Sequence, residues 1–290
     1  MRNRQLATRV INKEHQMQKA ELLRALHHAE APLVLPNIWD AGSAVLAADA
    51  GFPAMATASA SVAWTLGRPD GEKIDRGEML EAVARIAARV DLPLTADMES
   101  GYGGTPADVA ETVAKTLEAG AVGINLEDGI SYATGTVFDM SDAIERITAA
   151  RAAAKAAGIH LVINARTDVY FGEQRSDTEK FKEAVARANA YLSAGADCAF
   201  VIAVRDTSVI AELVREIHGP LNIIAGSPAL DINTLTHLGV KRISMAGGLA
   251  RNALGGFKAA LEEIRDNGTT EFLREGLDHL ELNRLYGRTD

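Results

Sequence analysis

A single cysteine, Cys198, stands among 290 residues. One thiol cannot form an intrachain disulfide, and zinc sites assembled from several cysteines are excluded; the pattern suits a reducing compartment. Aromatic residues are sparse, at 5%, and basic residues are outnumbered, with 30 Lys and Arg against 39 Asp and Glu for a net charge of −9. Nucleic acid and anionic membranes need a basic surface, so neither is an expected partner. An anionic small molecule stays open, because charge inside a pocket can oppose the global sign. No run approaches the roughly 18 apolar residues of a membrane span. The start, Met1 to Val10, is polar and basic, without the apolar stretch of a secretory signal. The expected location is cytoplasmic.

What is present is a repeat of short apolar runs and longer helical stretches. Residues 14–30 read as a helix with Leu22, Leu23 and Leu26 on one face. Eight candidate strands follow, at 33–36, 54–57, 94–97, 122–126, 161–165, 199–202, 222–225 and 242–245. Between and after them lie helical candidates at 41–50, 76–90, 106–119, 141–157, 178–194, 207–218, 231–238 and 249–266, with Ala and Leu at helical spacing and charges outside. Gly51, Gly120, Gly158, Gly195 and Gly239 stand where a left-handed residue would stop a helix before the next strand. Strands apolar on both faces imply a buried parallel sheet. Eight such units predict an α/β fold of the (β/α)₈ TIM-barrel type, a closed parallel sheet in one domain spanning 1–290, with residues 1–31 as an N-terminal helical segment. An open doubly wound sheet is the alternative, weakened because no Gly-x-Gly-x-x-Gly turn follows the first strand. Residues 267–290 read as a C-terminal extension, helical over 270–285 and free to pack on a neighbouring subunit.

Polar residues gather just after the strands, on the face where barrels carry their active sites. Asp97 and Glu99 follow strand three, two positions apart, and Glu127 follows strand four. Carboxylates this close repel one another unless a cation sits among them. An all-oxygen set favours Mg²⁺ or Mn²⁺ over zinc. The competing reading makes them helix caps or partners of Arg166 and Lys115. Arg166, beside Asn164, offers a guanidinium to a carboxylate or phosphate, or an ion pair to Glu127, and the two roles are compatible. Thr57, Ala58 and Ser59 are small enough for an anion to reach backbone N–H groups; the plain alternative is a tight strand-to-helix connection. The glycine-rich loop after Glu99 and the small-residue segment after strand eight are places where phosphate could rest, or simply tight connections. Cys198 reads as a buried inert thiol, and Trp39 and Trp64 as packing residues. The histidines fall on helices or away from the catalytic end.

Together these residues resemble the isocitrate lyase/phosphoenolpyruvate mutase superfamily, from about residue 33 to 256. The matching phrases are "LGRPD" ending at Asp70, "ADMESGYGG", "NLEDG" and "INARTD". Any one is a weak match; four in order, each after the expected strand, are specific. The resemblance implies a (β/α)₈ barrel, often with the last helix exchanged between subunits, assembled as a homodimer or homotetramer and acting on a small carboxylate with Mg²⁺. By position it implies Asp97 as the main metal ligand, with Asp70, Glu99 and Glu127 supporting it partly through water. It implies Arg166 on a substrate carboxylate or oxyanion, Thr57, Ala58 and Ser59 on the 2-oxo acid carboxylate, and Asn125 and Asn164 nearby.

The departures are as informative. Glu99 replaces the family's aspartate, adding one methylene of reach. The stretch after the strand-four glutamate, Gly129 to Thr136, has none of the Lys, Cys and His that the lyases carry there, nor the Lys-x-Asn-Ser of the mutases. The expected reaction is therefore lyase-like cleavage or decarboxylation of a 2-oxo or 2-hydroxy acid through a metal-stabilised enolate, with Arg166 and Glu127 in the machinery. Candidate proton donors are Tyr102, Tyr132 or a metal-bound water. The alternatives are phosphonopyruvate hydrolysis or mutase-type chemistry at phosphorus, and a barrel that binds a 2-oxo acid without turning it over.

Overall fold

The computed structural model describes residues 12–226 and 228–287. Proline at position 36 splits the first strand: lacking an N–H, it interrupts the ladder between β1 (Leu33–Leu35) and β2 (Asn37–Ile38). The chain continues through α2 (Ala41–Asp49), β3 (Met55–Thr57), α3 (Ser59–Thr65), α4 (Arg76–Ala87), β4 (Leu94–Asp97), α5 (Pro106–Glu118) and β5 (Gly123–Glu127). A small hairpin, β6 (Gly129–Ser131) and β7 (Thr136–Val137), precedes α6 (Met140–Ala157) and β8 (Val162–Thr167). Then come α7 (Asp177–Ser193), β9 (Cys198–Val201), α8 (Thr207–Glu216), β10 (Leu221–Ile224), α9 (Ile232–His237), β11 (Arg242–Ser244) and α10 (Gly248–Asn267).

The parallel sheet runs β1-β11-β10-β9-β8-β5-β4-β3-β2. β1 pairs with β11 and β2 with β3, so the two halves of one broken strand bring the sheet round on itself. The fold is the predicted TIM-barrel type. All eight apolar runs became barrel strands, and the five glycines before strands have φ between 71° and 111°. Four helices, α2, α4, α5 and α7, begin with a reciprocal capping box, which fixes where each leaves its loop. Apolar residues from strands and helices fill the layer between barrel and helical ring, in one large cluster and a second around β9, β10 and α8.

The N-terminal mouth is plugged by α1 (Lys13–His27), which buries Gln16, Ala20, Leu23 and His27. A Cβ on Gly123 would lie 2.8 Å from Leu23, so the absent side chain makes room for the plug. Among the described residues no helix is long and apolar enough to cross a membrane.

The structure departs from the sequence expectations in three places. Helix α3 lies where no element is expected; it is short, and its N-cap Ala58 makes no side-chain capping bond. The β6–β7 hairpin also lies outside the expected elements, its alternation too brief to register. The continuous helix expected over 270–285 is instead a 3₁₀ turn, Glu271–Arg274, and a separate helix α11, His279–Gly287; Gly276 lies in the break and Asp278 accepts the N–H of Leu280 to start the second piece. In α10 only Ala250 is buried, whereas Leu254, Phe257, Leu261 and Ile264 are exposed at spacings of three and four residues.

Candidate active site

The C-terminal ends of the strands enclose a cavity of about 230 Å³. Pockets for drug-sized ligands run from about 300 to 1,000 Å³, so this one suits a small acid. Its polar wall carries Ser59, Asp70, Asp97, Asn125 and Arg166; its apolar wall carries Phe171, Phe200, Ile202 and Ile224; Tyr132 enters from the β6–β7 hairpin.

Asp97 ends β4 in register with Asn125 on β5, which is in register with Asn164 on β8. The Asp97 N–H donates to Thr57 Oγ1 at 2.8 Å, and the Ser59 N–H donates to Asp97 Oδ2 at 2.9 Å. Asp97 Oδ1 is buried with no hydrogen-bond partner. Asp70 shares the cavity wall, and burial, with the charge of Asp97 adding to it, pushes its carboxyl above the usual range. Glu99 is pushed up to about 8 by burial, then by Asp97 and Asp70. Its extra methylene carries the carboxylate to the far side of the loop: Oε2 accepts the Glu72 N–H at 2.6 Å, and Oε1 accepts from the Tyr102 hydroxyl at 3.4 Å. Glu72, Glu99 and Tyr102 all hold positive φ, of 54°, 49° and 56°. Such backbones cost energy and persist when neighbours hold them. Here Glu72 Oε1 accepts from Ser100 Oγ and from the Tyr102 N–H, tying the three residues together.

Arg166 is held on its edges and faces. Nη1 meets Glu127 Oε2 at 2.6 Å, Nε donates to Asp168 Oδ1 at 2.6 Å and Nη2 to Asp168 Oδ2 at 3.0 Å. The rings of Tyr132, Phe200 and Phe171 lie 5.4, 5.8 and 6.0 Å from the guanidinium carbon. Burial alone would depress this guanidinium, but Glu127 and Asp168 outweigh it and raise it, so the cation is fixed. Burial pushes Glu127 and Asp168 upward against the pull of Arg166. The Tyr132 hydroxyl donates to Glu127 Oε1. Gly129 is needed for space: a Cβ there would sit 2.4 Å from Asp168 Oδ2. Asp128 is the contrast to Asp97, since it accepts from the Asp168 N–H, from Tyr191 Oη and from Arg187.

Of the residues singled out from sequence, Ala58, Ser59, Asp70, Asp97, Asn125 and Arg166 line the cavity. Thr57, Glu99, Glu127, Asn164 and Tyr102 stand behind that lining. Thr57 orients Asp97. Asn164 Nδ2 and Arg242 Nη2 both donate to Asn125 Oδ1, at 2.8 and 3.0 Å, leaving the Asn125 amide N–H₂ for the cavity. The Ser59 N–H is committed to Asp97, which removes it from a substrate carboxylate. Tyr102 is turned toward Glu99, whereas Tyr132 reaches the cavity. Arg166 makes the ion pair with Glu127; Lys115 instead pairs with Glu111 on its own helix.

The glycine-rich loop after Glu99 leads into α5, whose N-terminus is satisfied by Thr105 and Asp108, an acid unsuited to phosphate. Ala246 and Gly247 line the cavity, but a Cβ on Gly247 would press on Trp64 at 2.9 Å, so the small residues there also serve packing. Cys198 is buried, its thiol pushed up to about 12 by burial, and inert. Asp168 and the apolar wall were not singled out from sequence. Alternation in "INARTD" puts Arg166 and Asp168 on one side of the strand and could have revealed the first; Phe200 and Ile224 read as core.

Among the described residues no three Asp, Glu, His or Cys side chains converge to cage a metal unaided. The site nonetheless fits a hard divalent cation. A buried carboxylate oxygen without a partner is costly, and Asp97 Oδ1 is such an oxygen, with Asp70 on the same wall. Mg²⁺ retains several waters and needs only one or two carboxylates.

The family model for phosphoenolpyruvate phosphomutase matches residues 23–265. A crystal structure from Burkholderia cenocepacia J2315, whose description goes no further than lyase/mutase, superposes with a TM-score of 0.89 at 39% identity, covering 96% of this chain and 98% of that one. The 2-methylisocitrate lyase of Aeropyrum pernix is 27% identical over 279 residues, 93% of this chain and 84% of that protein. Oxaloacetate acetylhydrolase, solved with its product oxalate, superposes with a TM-score of 0.83 at 26% identity, covering 93% and 94%. With the barrel and the acidic strand ends already in place, the match over residues 23–265 means that this chain belongs to the phosphoenolpyruvate phosphomutase family, within the isocitrate lyase/phosphoenolpyruvate mutase superfamily of carbon–carbon lyases and mutases.

Proposed function

We propose that the chain is a Mg²⁺-dependent lyase that cleaves or decarboxylates a small 2-oxo or 2-hydroxy carboxylate, with Mn²⁺ able to substitute. The observation that carries this reading is one unpartnered carboxylate oxygen, Asp97 Oδ1, in a cavity that also holds the fixed cation Arg166. Asp97 and Asp70 would hold the metal, with Glu99 and Glu127 behind them through water. When bound, the ion supplies Lewis acidity toward a carbonyl oxygen.

The remaining work belongs to the protein. Arg166 keeps its charge beside the site of the oxyanion that develops as the carbon–carbon bond breaks. The Asn125 amide N–H₂ donates to a substrate oxygen. Tyr132 lines the cavity, and its hydroxyl, kept protonated by burial and by the charge of Glu127, donates to Glu127; turned away from Glu127 it would give that proton to the departing carbanion. The aromatic rings around Arg166 exclude water, which strengthens each of these interactions.

The test is a Mg²⁺-dependent product screen across 2-oxo and 2-hydroxy mono-, di- and tricarboxylates. A 2-oxo acid, oxalate or CO₂ released only with metal supports the reading. Phosphate release from phosphonopyruvate by ³¹P NMR, with no carbon–carbon cleavage, overturns it in favour of chemistry at phosphorus. We also propose self-association as a dimer or tetramer through the exposed Leu254, Phe257, Leu261 and Ile264 face of α10; sedimentation of the chain as a monomer at micromolar concentration contradicts this.

A further inference from the structure

Relatives named for 2-methylisocitrate cleave a tricarboxylate, yet this cavity is not built for a third carboxylate. Among the described residues its lining holds one basic side chain, Arg166, and no Lys or His. Three of the five Arg166 N–H donors already meet Glu127 and Asp168, leaving two, enough for one ligand group. The Ser59 N–H is taken by Asp97. Asp70 and Asp97 line the cavity, and Glu99, Glu127 and Asp168 stand close behind, so a divalent ion together with Arg166 does not leave a positive surplus for a trianion.

The opposite wall is apolar. In the ring of strands β10 stands across from β4, so Ile224 faces the Asp97 side, joined by Phe200 and Ile202 at the end of β9 and Phe171 after β8. Phe171, Ile202 and Ile224 are only half-buried, so apolar surface is left open inside the cavity. Water held against such a wall is readily displaced by an alkyl group.

We infer that the substrate carries at most two carboxylates and places an alkyl substituent against Phe171, Phe200, Ile202 and Ile224: an alkyl-substituted 2-oxo or 2-hydroxy acid, not a tricarboxylate. This deepens the function proposed above and rests on its metal and Arg166 site.

The test is equilibrium binding by calorimetry, with the full chain and saturating Mg²⁺. The probes are oxalate, then pyruvate, 2-oxobutyrate and 2-oxopentanoate, then isocitrate. Burial of one methylene is worth about 0.8 kcal/mol, or about fourfold in affinity. Affinity is expected to rise about fourfold per added methylene along the 2-oxo series, with isocitrate the weaker of the six-carbon and five-carbon ligands. Ile224→Ser, and independently Ile202→Ser, should flatten the slope while leaving oxalate affinity unchanged. A flat series with normal oxalate binding, or isocitrate binding tighter than 2-oxopentanoate, overturns the alkyl assignment alone. Failure of oxalate to bind in a Mg²⁺-dependent way overturns the metal-site reading and this inference with it.

Discussion

The two walls of the cavity are made by the same kind of element and differ in how their side chains are satisfied. On the β4, β5 and β8 side, Glu127, Asp168 and Arg166 are locked to one another, and among the buried carboxylate oxygens without a hydrogen bond Asp97 Oδ1 also lacks the ion pair that Glu127 Oε2 makes with Arg166. On the β9 and β10 side the residues at equivalent strand ends are Phe200, Ile202 and Ile224, with no polar commitment. The polar wall therefore sets what chemistry is possible, and the apolar wall sets which molecule fits. Asp128 shows the same lesson within the polar wall: every contact it makes is to the protein, so it braces Asp168, while Asp97 next door keeps one oxygen for something else.

The largest expected effect comes from breaking the polar wall at its leftover oxygen. Asp97→Ala should abolish Mg²⁺-dependent turnover, a loss on the order of 10³-fold or more if several kcal/mol of metal stabilisation is removed. Steady-state kinetics against metal concentration measures this. In the metal-free chain Asp97→Asn should raise Tm, since it deletes a buried charge facing Asp70 and Glu99; a lowered Tm would mean that Asp97 is a structural acid like Asp128.

Arg166→Lys keeps a charge but loses the planar fork that grips Asp168 while facing the cavity. A loss of about 10²- to 10³-fold in kcat is expected, the range for removal of one oxyanion donor. Tyr132→Phe should cost about 10²-fold or more in kcat, as for loss of a general acid, whereas Tyr102→Phe should leave kcat near that of the parent. The reverse ranking would return the proton-donor role to the Tyr102 side of the loop.

The smallest effect lies beneath both walls. His27, in the helix that plugs the barrel, has its pKa lowered from 6.5 to about 4 by burial, then by the charge of Arg242. Below pH 6.5 the unfolded chain takes up a proton that the folded chain refuses, so stability falls as pH drops from about 6.5 to about 4 and then levels off. The total is at most about 3 kcal/mol. His27→Gln should shrink this slope in urea unfolding curves recorded between pH 4.5 and 7. An unchanged slope would show that His27 is not held neutral.

Much of this architecture was readable in advance, for physical reasons. Strands buried on both faces are apolar throughout, and glycines at helix ends mark the return to the barrel, so the eight units stood out. Asp97 and Arg166 were legible because charged residues at the end of an apolar strand have few structural uses; Asp70, in the loop between α3 and α4, was legible only through the "LGRPD" resemblance. Glu99 and Tyr102 were legible as residues but not in direction; positive φ at both turns them to Glu72 and to each other, and spacing does not encode that. The apolar wall was hidden because an Ile or Phe on a barrel strand looks the same whether it faces core or ligand. The β6–β7 hairpin was hidden because strands of three and two residues leave no periodicity.

The central claim is that Asp97 holds a divalent cation in this cavity, and Mn²⁺ titration followed by electron paramagnetic resonance tests it most directly. The account predicts one bound Mn²⁺ per chain in the parent, displaced by Mg²⁺, and none in Asp97→Asn. Equal Mn²⁺ binding by the parent and a folded Asp97→Asn variant would contradict it.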